Sequence, residues 1–144
     1  MKKIAILNGP NLDRLGKREP EIYGVLDFAA LTSAVSEAAK ELELQVEVRQ
    51  SESEAELIDW LHEAVDAKHN VVINPAAFTH YSYALRDAAA LVGKSGLKLI
   101  EVHISNPHAR ESFRHNSVIS GVATGVIAGF GVDSYLAALR LLAN

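Results

Sequence analysis

The chain has 144 residues, of which 49% are hydrophobic and 22% are charged, and its formal net charge at pH 7 is −4. This length predicts one domain spanning residues 1–144. The acidic balance disfavours general nucleic-acid binding, because proteins of that class carry a basic face for phosphates. No segment reaches the roughly 18 apolar residues of a membrane span. Asn8 ends the first apolar run too early for a signal peptide.

The sequence contains no cysteine, which excludes disulfides, thiolate nucleophiles and thiolate metal ligands. This composition is compatible with the cytoplasm, where we expect the protein to reside. His103, His108 and His115 lie close together in the sequence, but their spacing matches no regular zinc pattern. We therefore expect no metal ion.

Apolar runs bounded by turn residues alternate with segments of helical period along the chain, which predicts βαβ units around a parallel sheet. The predicted strands cover residues 3–7, 44–49, 71–74, 97–103 and 122–128. Their continuous Ile/Val/Leu character suits strands that are covered on both faces. The predicted fold is a three-layer, doubly wound, flavodoxin-like α/β fold with a five-stranded parallel sheet.

Three helices are predicted between these strands and a fourth after the last strand. Apolar residues recur at spacings of three and four over residues 28–42, with Asp27 as the expected N-cap. Ser53 and Glu56 form the pattern of a capping box, which predicts the start of a second helix at residue 54. The remaining helices should cover about residues 81–91 and 132–142.

In sheets of this kind, ligands bind beyond the carboxyl ends of the strands, where the strand order reverses. Three polar segments follow predicted strands, at residues 8–24, 74–80 and 103–114. We therefore expect a binding site to form from these three segments.

The fourth predicted strand ends in Glu101 and His103, which are two residues apart and therefore face the same side of a strand. A carboxylate beside an imidazole fixes its tautomer and raises its basicity, as a general acid or base requires. The alternative is a hydrogen-bonded pair with a purely structural role.

Arg110 and Arg114 follow the same strand and are four residues apart. If this segment forms a helical turn, they share a face and provide an anchor for carboxylate or hydroxyl groups. A solvated surface pair is the alternative interpretation.

Asn74, His80 and Ser82 follow the third strand, in a loop that Pro75 should keep from being helical at once. Asn74 can both donate to and accept from a ligand. A serine hydrolase built on Ser82, His80 and Asp87 is disfavoured, because no G-x-S-x-G nucleophile elbow is present.

The polar segment 8–24 is long enough to be a lid or a binding loop. It contains Arg18 and Tyr23. A tyrosine with a pKa near 10 is about 4 kcal/mol from being ionised at neutral pH. Arg18, helped by Arg114, could lower that cost and keep Tyr23 ionised. The alternative is a Tyr23 ring packed under the loop, with Arg18 solvated.

Six segments together resemble the type II 3-dehydroquinate dehydratase family, in the order in which that family has them: LNGPNL, GKREPEIYG, RQSESEAELIDW, NPAAFTHYSYALRD, EVHISNPHARESFRH and GVIAGFGVDSYLAAL. The resemblance implies a reversible anti elimination of water from 3-dehydroquinate to 3-dehydroshikimate, in the shikimate pathway or in quinate breakdown. It also implies that neither a metal nor an organic cofactor is needed.

The resemblance further implies roles for individual residues. Tyr23 would be the base, and Arg18 would hold it ionised. His103 would protonate the leaving hydroxyl, and Glu101 would orient its imidazole. Asn11 would hold a water against the developing enolate.

Other residues would bind the substrate or neighbouring groups. By resemblance, Asn74, Ile104 and Ser105 would bind the substrate carboxylate. His80 and Arg114 would bind its ring hydroxyls, and Arg110 would contact the lid. Asp87 would reach the site of a neighbouring subunit, which implies trimers that assemble into a homododecamer.

Some positions depart from the family pattern. Ala76 stands where a glycine is usual, which predicts a slightly tighter carboxylate loop, and Asp13 stands where asparagine is common. Val25 and Leu26 replace hydroxyl residues just beyond the lid.

A receiver domain or a flavin-binding domain of the same architecture is the rival interpretation. A receiver needs an acidic cluster after strand one and an aspartate after strand three, where this chain has Asn8 and Asn74. A flavin site needs a phosphate loop after strand one, where Pro10 removes one amide donor.

Overall fold

The computed structural model describes residues 1–17, 21 and 26–144. The described residues form a parallel sheet of five strands in the order β2-β1-β3-β4-β5. The strands are β1 Lys2–Asn8, β2 Leu44–Gln50, β3 Asn70–Asn74, β4 Leu99–His103 and β5 Gly125–Ala128. The helices are α1 Phe28–Glu41, α2 Glu54–Ala67, α3 Tyr83–Lys94 and α4 Val132–Ala143.

Alternate residues of the central strands belong to two separate hydrophobic clusters, one on each face of the sheet. Ile4 and Ile6 of β1 pack with α1 and α4, whereas Leu7 packs with α2 and α3 on the opposite face. This alternation follows from the two-residue period of a strand. Helices therefore cover both faces of the sheet, which confirms the predicted three-layer, doubly wound fold.

The predicted N-caps of the first two helices are confirmed, with one difference in detail. Asp27 Oδ1 accepts from the amide of Ala30 at 2.7 Å. Ser53 Oγ accepts from the amide of Glu56 at 3.2 Å, but the returning half of the capping box is absent. The Ser53 amide donates instead to Ser51 Oγ, which itself donates to Glu56 Oε1 at 2.5 Å.

The fifth strand is shorter than predicted. Residues Ser120–Val122 form a 3₁₀ helix, and β5 begins only at Gly125. The hydroxyl of Ser117 accepts from the amides of Ile119 and Ser120 at 3.1 and 3.0 Å, which favours a turn over a strand. The apolar character of Val122 reflects its packing against α3 rather than strand formation.

The segment after β3 also differs from its prediction. Residues Ala76–His80 form a 3₁₀ helix directly after Pro75, rather than a loop. Ser82 is not a free loop residue, because its Oγ caps α3 by accepting from the amide of Leu85 at 3.1 Å. The third helix therefore begins at Tyr83, two residues later than expected.

Gly9 allows the end of β1 to lie directly against the turn after β3. Its amide donates to the carbonyl oxygen of Asn74 at 2.8 Å. A Cβ at position 9 would lie 2.5 Å from the carbonyl oxygen of Pro75, which is too close for any side chain. Only glycine fits at this position without a backbone shift.

Replacing Gly9 by alanine should therefore lower the free energy of unfolding by about 3 kcal/mol, measured by urea denaturation. Gly121→Ala is the matched control, because a Cβ there would meet no atom within 4 Å. Equal stabilities for the two variants would contradict the steric explanation.

Within the ranges that the structure describes, no helix combines the length and the apolar character needed to cross a membrane.

Candidate active site

A cavity lies at the carboxyl edge of the sheet, next to the point between β1 and β3 where the strand order reverses. We call it the edge cavity. Eight of the predicted site residues line it: Asn11, Asn74, His80, His103, Ile104, Ser105, Arg110 and Arg114. The three polar segments that follow β1, β3 and β4 therefore meet, as the fold rule predicts.

Glu101 and His103 form a buried pair at the end of β4. His103 Nε2 lies 2.5 Å from Glu101 Oε2. Glu101 is 1% exposed and His103 is 8% exposed. A buried carboxylate needs hydrogen-bond donors to offset the loss of its hydration, so the surroundings of Glu101 determine whether it can be charged.

Two serines that the sequence interpretation missed also contact Glu101. Ser120 Oγ lies 2.8 Å from Oε1, and Ser117 Oγ lies 3.1 Å from the same oxygen. The Ser117 hydroxyl already accepts from two amides, so its single proton is donated to the carboxylate. The carboxylate thus accepts from three side chains.

These donors keep Glu101 ionised. Burial alone would raise the pKa of its carboxyl, but the hydrogen bond and charge of His103, with the bonds from Ser120 and Ser117, lower this pKa below the usual value. The charged Glu101 accepts the proton of His103 Nε2, which fixes the tautomer. Among the described residues, Nδ1 of His103 makes no hydrogen bond, so this nitrogen is available to a ligand.

Removing one hydrogen-bond donor to Glu101 should change how the free energy of unfolding depends on pH in the acid range. Because the pKa of Glu101 is lowered in the folded state, its contribution to stability is present above the unfolded pKa and is lost as pH falls through the folded pKa. Ser120→Ala should raise the folded pKa of Glu101. The stability difference from wild type should then be largest above the unfolded pKa and vanish at lower pH.

For the same reason, the acid limb of any pH–rate profile that depends on an ionised Glu101 should move to higher pH in Ser120→Ala, measured by steady-state kinetics. Ser95→Ala is the control, because this exposed hydroxyl donates to the Leu91 carbonyl at the end of α3, away from Glu101. An unshifted acid limb in Ser120→Ala would show that Ser120 does not influence the ionisation of Glu101.

Arg110 and Arg114 both line the edge cavity, although they do not share a helical turn as their spacing suggested. Arg110 is extended, with φ −118° and ψ −162°, and separates two short 3₁₀ helices. Its Nη1 donates to Ser105 Oγ at 3.1 Å, and Nε of Arg114 donates to Glu111 Oε1 at 3.0 Å. The two guanidinium groups make the cavity suitable for an anionic ligand.

His80 also lines the edge cavity, where its ring can accept a hydrogen bond from a ligand. Its Nδ1 donates to the carbonyl oxygen of Asn116 at 2.8 Å. Burial lowers the pKa of His80, and the charges of Arg114 and His103 lower it further, against the Asn116 hydrogen bond, which raises it. The remaining nitrogen, Nε2, can therefore accept a hydrogen bond from a ligand hydroxyl.

Two residues of the cavity wall adopt left-handed backbone conformations. Asn11 has φ 69°, which asparagine tolerates. Its backbone N–H donates to Glu52 Oε1 at 3.3 Å. Ala76 has φ 53°. Because this conformation disfavours any residue with a Cβ, Ala76 carries local backbone strain.

Of the predicted site residues that the structure describes, Glu101 and Asp87 do not line the edge cavity. Asp87 is exposed on α3, where it pairs with Arg86 at 2.9 Å. Arg18 and Tyr23 lie outside the described residues.

His103, His108 and His115, the histidines considered as a metal site, line a second cavity together. The rings of His108 and His115 have centroids 5.8 Å apart. Among the residues described, no group of three His, Cys, Asp or Glu side chains has an arrangement that could hold a metal ion.

The fold and the edge cavity define a flavodoxin-like α/β protein with an acid–base pair and two arginines at the carboxyl edge of its sheet. The model of the family Dehydroquinase class II matches residues 2–143. The chain belongs to the class II dehydroquinase family.

Individual relatives agree with this assignment. A 3-dehydroquinate dehydratase of Mycobacteroides abscessus is 58% identical over 137 residues, which are 95% of this chain and 93% of the relative. One of Salinispora tropica is 55% identical over 141 residues, covering 98% and 96%. The crystal structure of the type II dehydroquinase from Propionibacterium acnes superposes with a TM-score of 0.95 at 50% identity, covering 99% and 97%. The resemblance derived from the sequence motifs is confirmed.

Proposed function

We propose that this chain is a 3-dehydroquinate dehydratase, a hydro-lyase that catalyses the reversible anti elimination of water to give 3-dehydroshikimate. Membership of the class II dehydroquinase family supports the substrate. The observation that carries the chemistry is the buried Glu101–His103 pair. His103 lines a cavity that also holds two arginines, and its Nδ1 bonds to none of the described residues.

The elimination begins with the removal of a proton from the carbon next to the ketone. Tyr23, ionised by the charge of Arg18, takes this proton, and the bonding electrons form an enolate. Asn11 holds a water that donates to the enolate oxygen. The position of Asn11 on the wall of the edge cavity supports this role.

The second step expels the hydroxyl group. The enolate electrons form the carbon–carbon double bond while the carbon–oxygen bond breaks, and His103 Nδ1 delivers the proton that makes the leaving group water. Glu101 stabilises the imidazolium before transfer. Tyr23 ends the step protonated and His103 neutral, so one proton must return from tyrosine to histidine before the next turnover.

The other cavity residues bind the substrate. Asn74 and the Ile104–Ser105 segment hold its carboxylate, while His80 and Arg114 bind ring hydroxyls, and Arg110 contacts the lid. The neutral state of His80, with Nε2 as an acceptor, suits a hydroxyl donor. The chemistry requires neither a metal nor an organic cofactor.

The proposed assembly is the one that the resemblance of the sequence motifs implies. Residues 1–144 form one catalytic domain, and Asp87 reaches the site of a neighbouring subunit in trimers that build a homododecamer. The exposure of Asp87 on α3, away from its own cavity, supports this arrangement. The enzyme acts in the cytoplasm, in the shikimate pathway or in quinate breakdown.

An ultraviolet assay tests the proposal. Metal-stripped protein is mixed with 3-dehydroquinate, and the conjugated enone of 3-dehydroshikimate is followed by its absorbance. Rapid appearance of the enone, unchanged by added chelator, is the expected result. Folded protein that forms no enone, or a yellow preparation that carries flavin, would contradict it and favour the binding-domain alternative.

A further inference from the structure

Three buried polar side chains form a chain of hydrogen bonds behind the edge cavity. Asn8, Asn74 and Tyr135 are 0%, 3% and 1% exposed. Asn8 and Asn74 end the adjacent strands β1 and β3, whereas Tyr135 comes from α4. Only Asn74 lines the cavity. Tyr135 has no role in the chemistry proposed above.

The two terminal groups of this hydrogen-bonded series determine the direction of every hydrogen bond within it. The amide of Ala76 can only donate, and it lies 3.2 Å from Asn74 Oδ1. The carbonyl oxygen of Arg49 can only accept, and Asn8 Nδ2 lies 3.1 Å from it. The side-chain oxygens of both asparagines therefore face donors, and their nitrogens face acceptors.

The hydroxyl of Tyr135 joins the two halves. It accepts from Asn74 Nδ2 at 3.0 Å and donates to Asn8 Oδ1 at 2.6 Å. Since burial raises the pKa of Tyr135, the hydroxyl keeps its proton and remains a donor. The amide plane of Asn74 is thus held on both sides, by a backbone amide and by the tyrosine hydroxyl.

Within the part of the chain that the structure describes, this arrangement leaves Asn74 one uncommitted N–H group. Its oxygen is occupied by Ala76 and one of its two N–H groups by Tyr135. The remaining N–H makes Asn74 a hydrogen-bond donor to a ligand, which suits a carboxylate. Loss of the tyrosine hydroxyl would leave buried polar atoms of both asparagines unpaired, and such atoms reorient to recover partners.

We propose that Tyr135 is a positioning residue that holds the Asn74 amide as a donor to the substrate carboxylate. The inference rests on the proposed function, because it concerns how one substrate contact, the Asn74 amide, is oriented. The hydrogen bonds that orient it run through Ala76, Asn74, Tyr135, Asn8 and Arg49. Tyr135 does not touch the substrate. It acts on substrate affinity, and the chemical step depends on other residues.

The first test is the kinetics of Tyr135→Phe in the dehydration assay. KM for 3-dehydroquinate should rise about tenfold, while kcat changes by less than about threefold, because the lost interaction acts on binding. Ser134→Ala is the matched control. Ser134 is equally buried on the same helix, but its Oγ accepts, among the residues described, only from the amide of Phe130. Loss of this hydroxyl should therefore lower stability without changing KM.

A double-mutant cycle with Asn74→Ala separates positioning from general damage. If Tyr135 acts through Asn74, Tyr135→Phe should raise KM no further when Asn74 is already alanine. An equal rise in both backgrounds, or an unchanged KM in the single variant, would overturn the inference. If Tyr135→Phe is too unstable to assay, Asn8→Ala breaks the next link and should raise KM likewise, and an unchanged KM there is also a refutation.

Turnover measured for the wild-type protein shows whether a failed test concerns Tyr135 alone or the proposed function as well. Turnover of 3-dehydroquinate by the wild type with no KM effect of Tyr135→Phe overturns the role of Tyr135 and leaves the proposed function intact. A wild type without turnover overturns both.

Discussion

Replacing His103 by alanine should lower kcat for dehydration by about 10³-fold, in line with the loss of a positioned general acid. The hydroxyl is a poor leaving group without a proton, and His103 Nδ1 is the atom expected to supply it. The fold should survive, because the side chain packs at a cavity wall rather than inside either hydrophobic cluster. The ultraviolet assay, with circular dichroism as a check on folding, measures both effects.

His62→Ala is the control for this variant, since His62 is an exposed histidine on α2 outside the edge cavity. Its kcat should stay within about twofold of wild type, as for an ordinary surface substitution. A His103→Ala protein that keeps most of its turnover would remove His103 from the role of acid.

Replacing Tyr23 by phenylalanine should lower kcat by at least about 10³-fold, because no enolate forms without a base. The fold and substrate binding should be retained, since only one hydroxyl is lost. Steady-state kinetics measures the loss, and Tyr81→Phe and Tyr83→Phe, which change exposed tyrosines, serve as controls. Substantial remaining activity would exclude tyrosine as the base.

Arg18→Gln tests how Tyr23 is activated. Without the guanidinium charge, fewer molecules carry an ionised tyrosine at neutral pH, so turnover should fall and recover in part as pH rises. A pH profile that does not move in this variant would show that Arg18 does not activate Tyr23.

The fold was predictable because its signals are local and repeated. The apolar runs that became β1 to β4 are long and bounded by turn residues, and Asp27 and Ser53 mark helix starts by their own side chains. The errors lie where a side chain competes with the backbone for hydrogen bonds. Ser117 turns the start of the predicted fifth strand into a 3₁₀ helix, and Ser82 delays the start of α3.

The site was predictable only where residues stand close in the sequence or follow a strand. Glu101 and His103 are two residues apart on one strand, so their pairing follows from strand geometry. Ser120 and Tyr135 carry no such signal, because they reach Glu101 and Asn74 from 19 and 61 residues away. Contacts of this kind depend on how α4 and the β4–β5 connection pack.

Solvent deuterium exchange, followed by nuclear magnetic resonance, tests directly whether Tyr23 is the base and His103 is the acid. His103→Ala and Tyr23→Phe are each incubated with 3-dehydroquinate in D₂O, and loss of the proton next to the ketone is recorded. Exchange without dehydration in His103→Ala, and no exchange in Tyr23→Phe, is the predicted result. Exchange that persists in Tyr23→Phe, or disappears in His103→Ala, would contradict a tyrosine base working with a separate histidine acid.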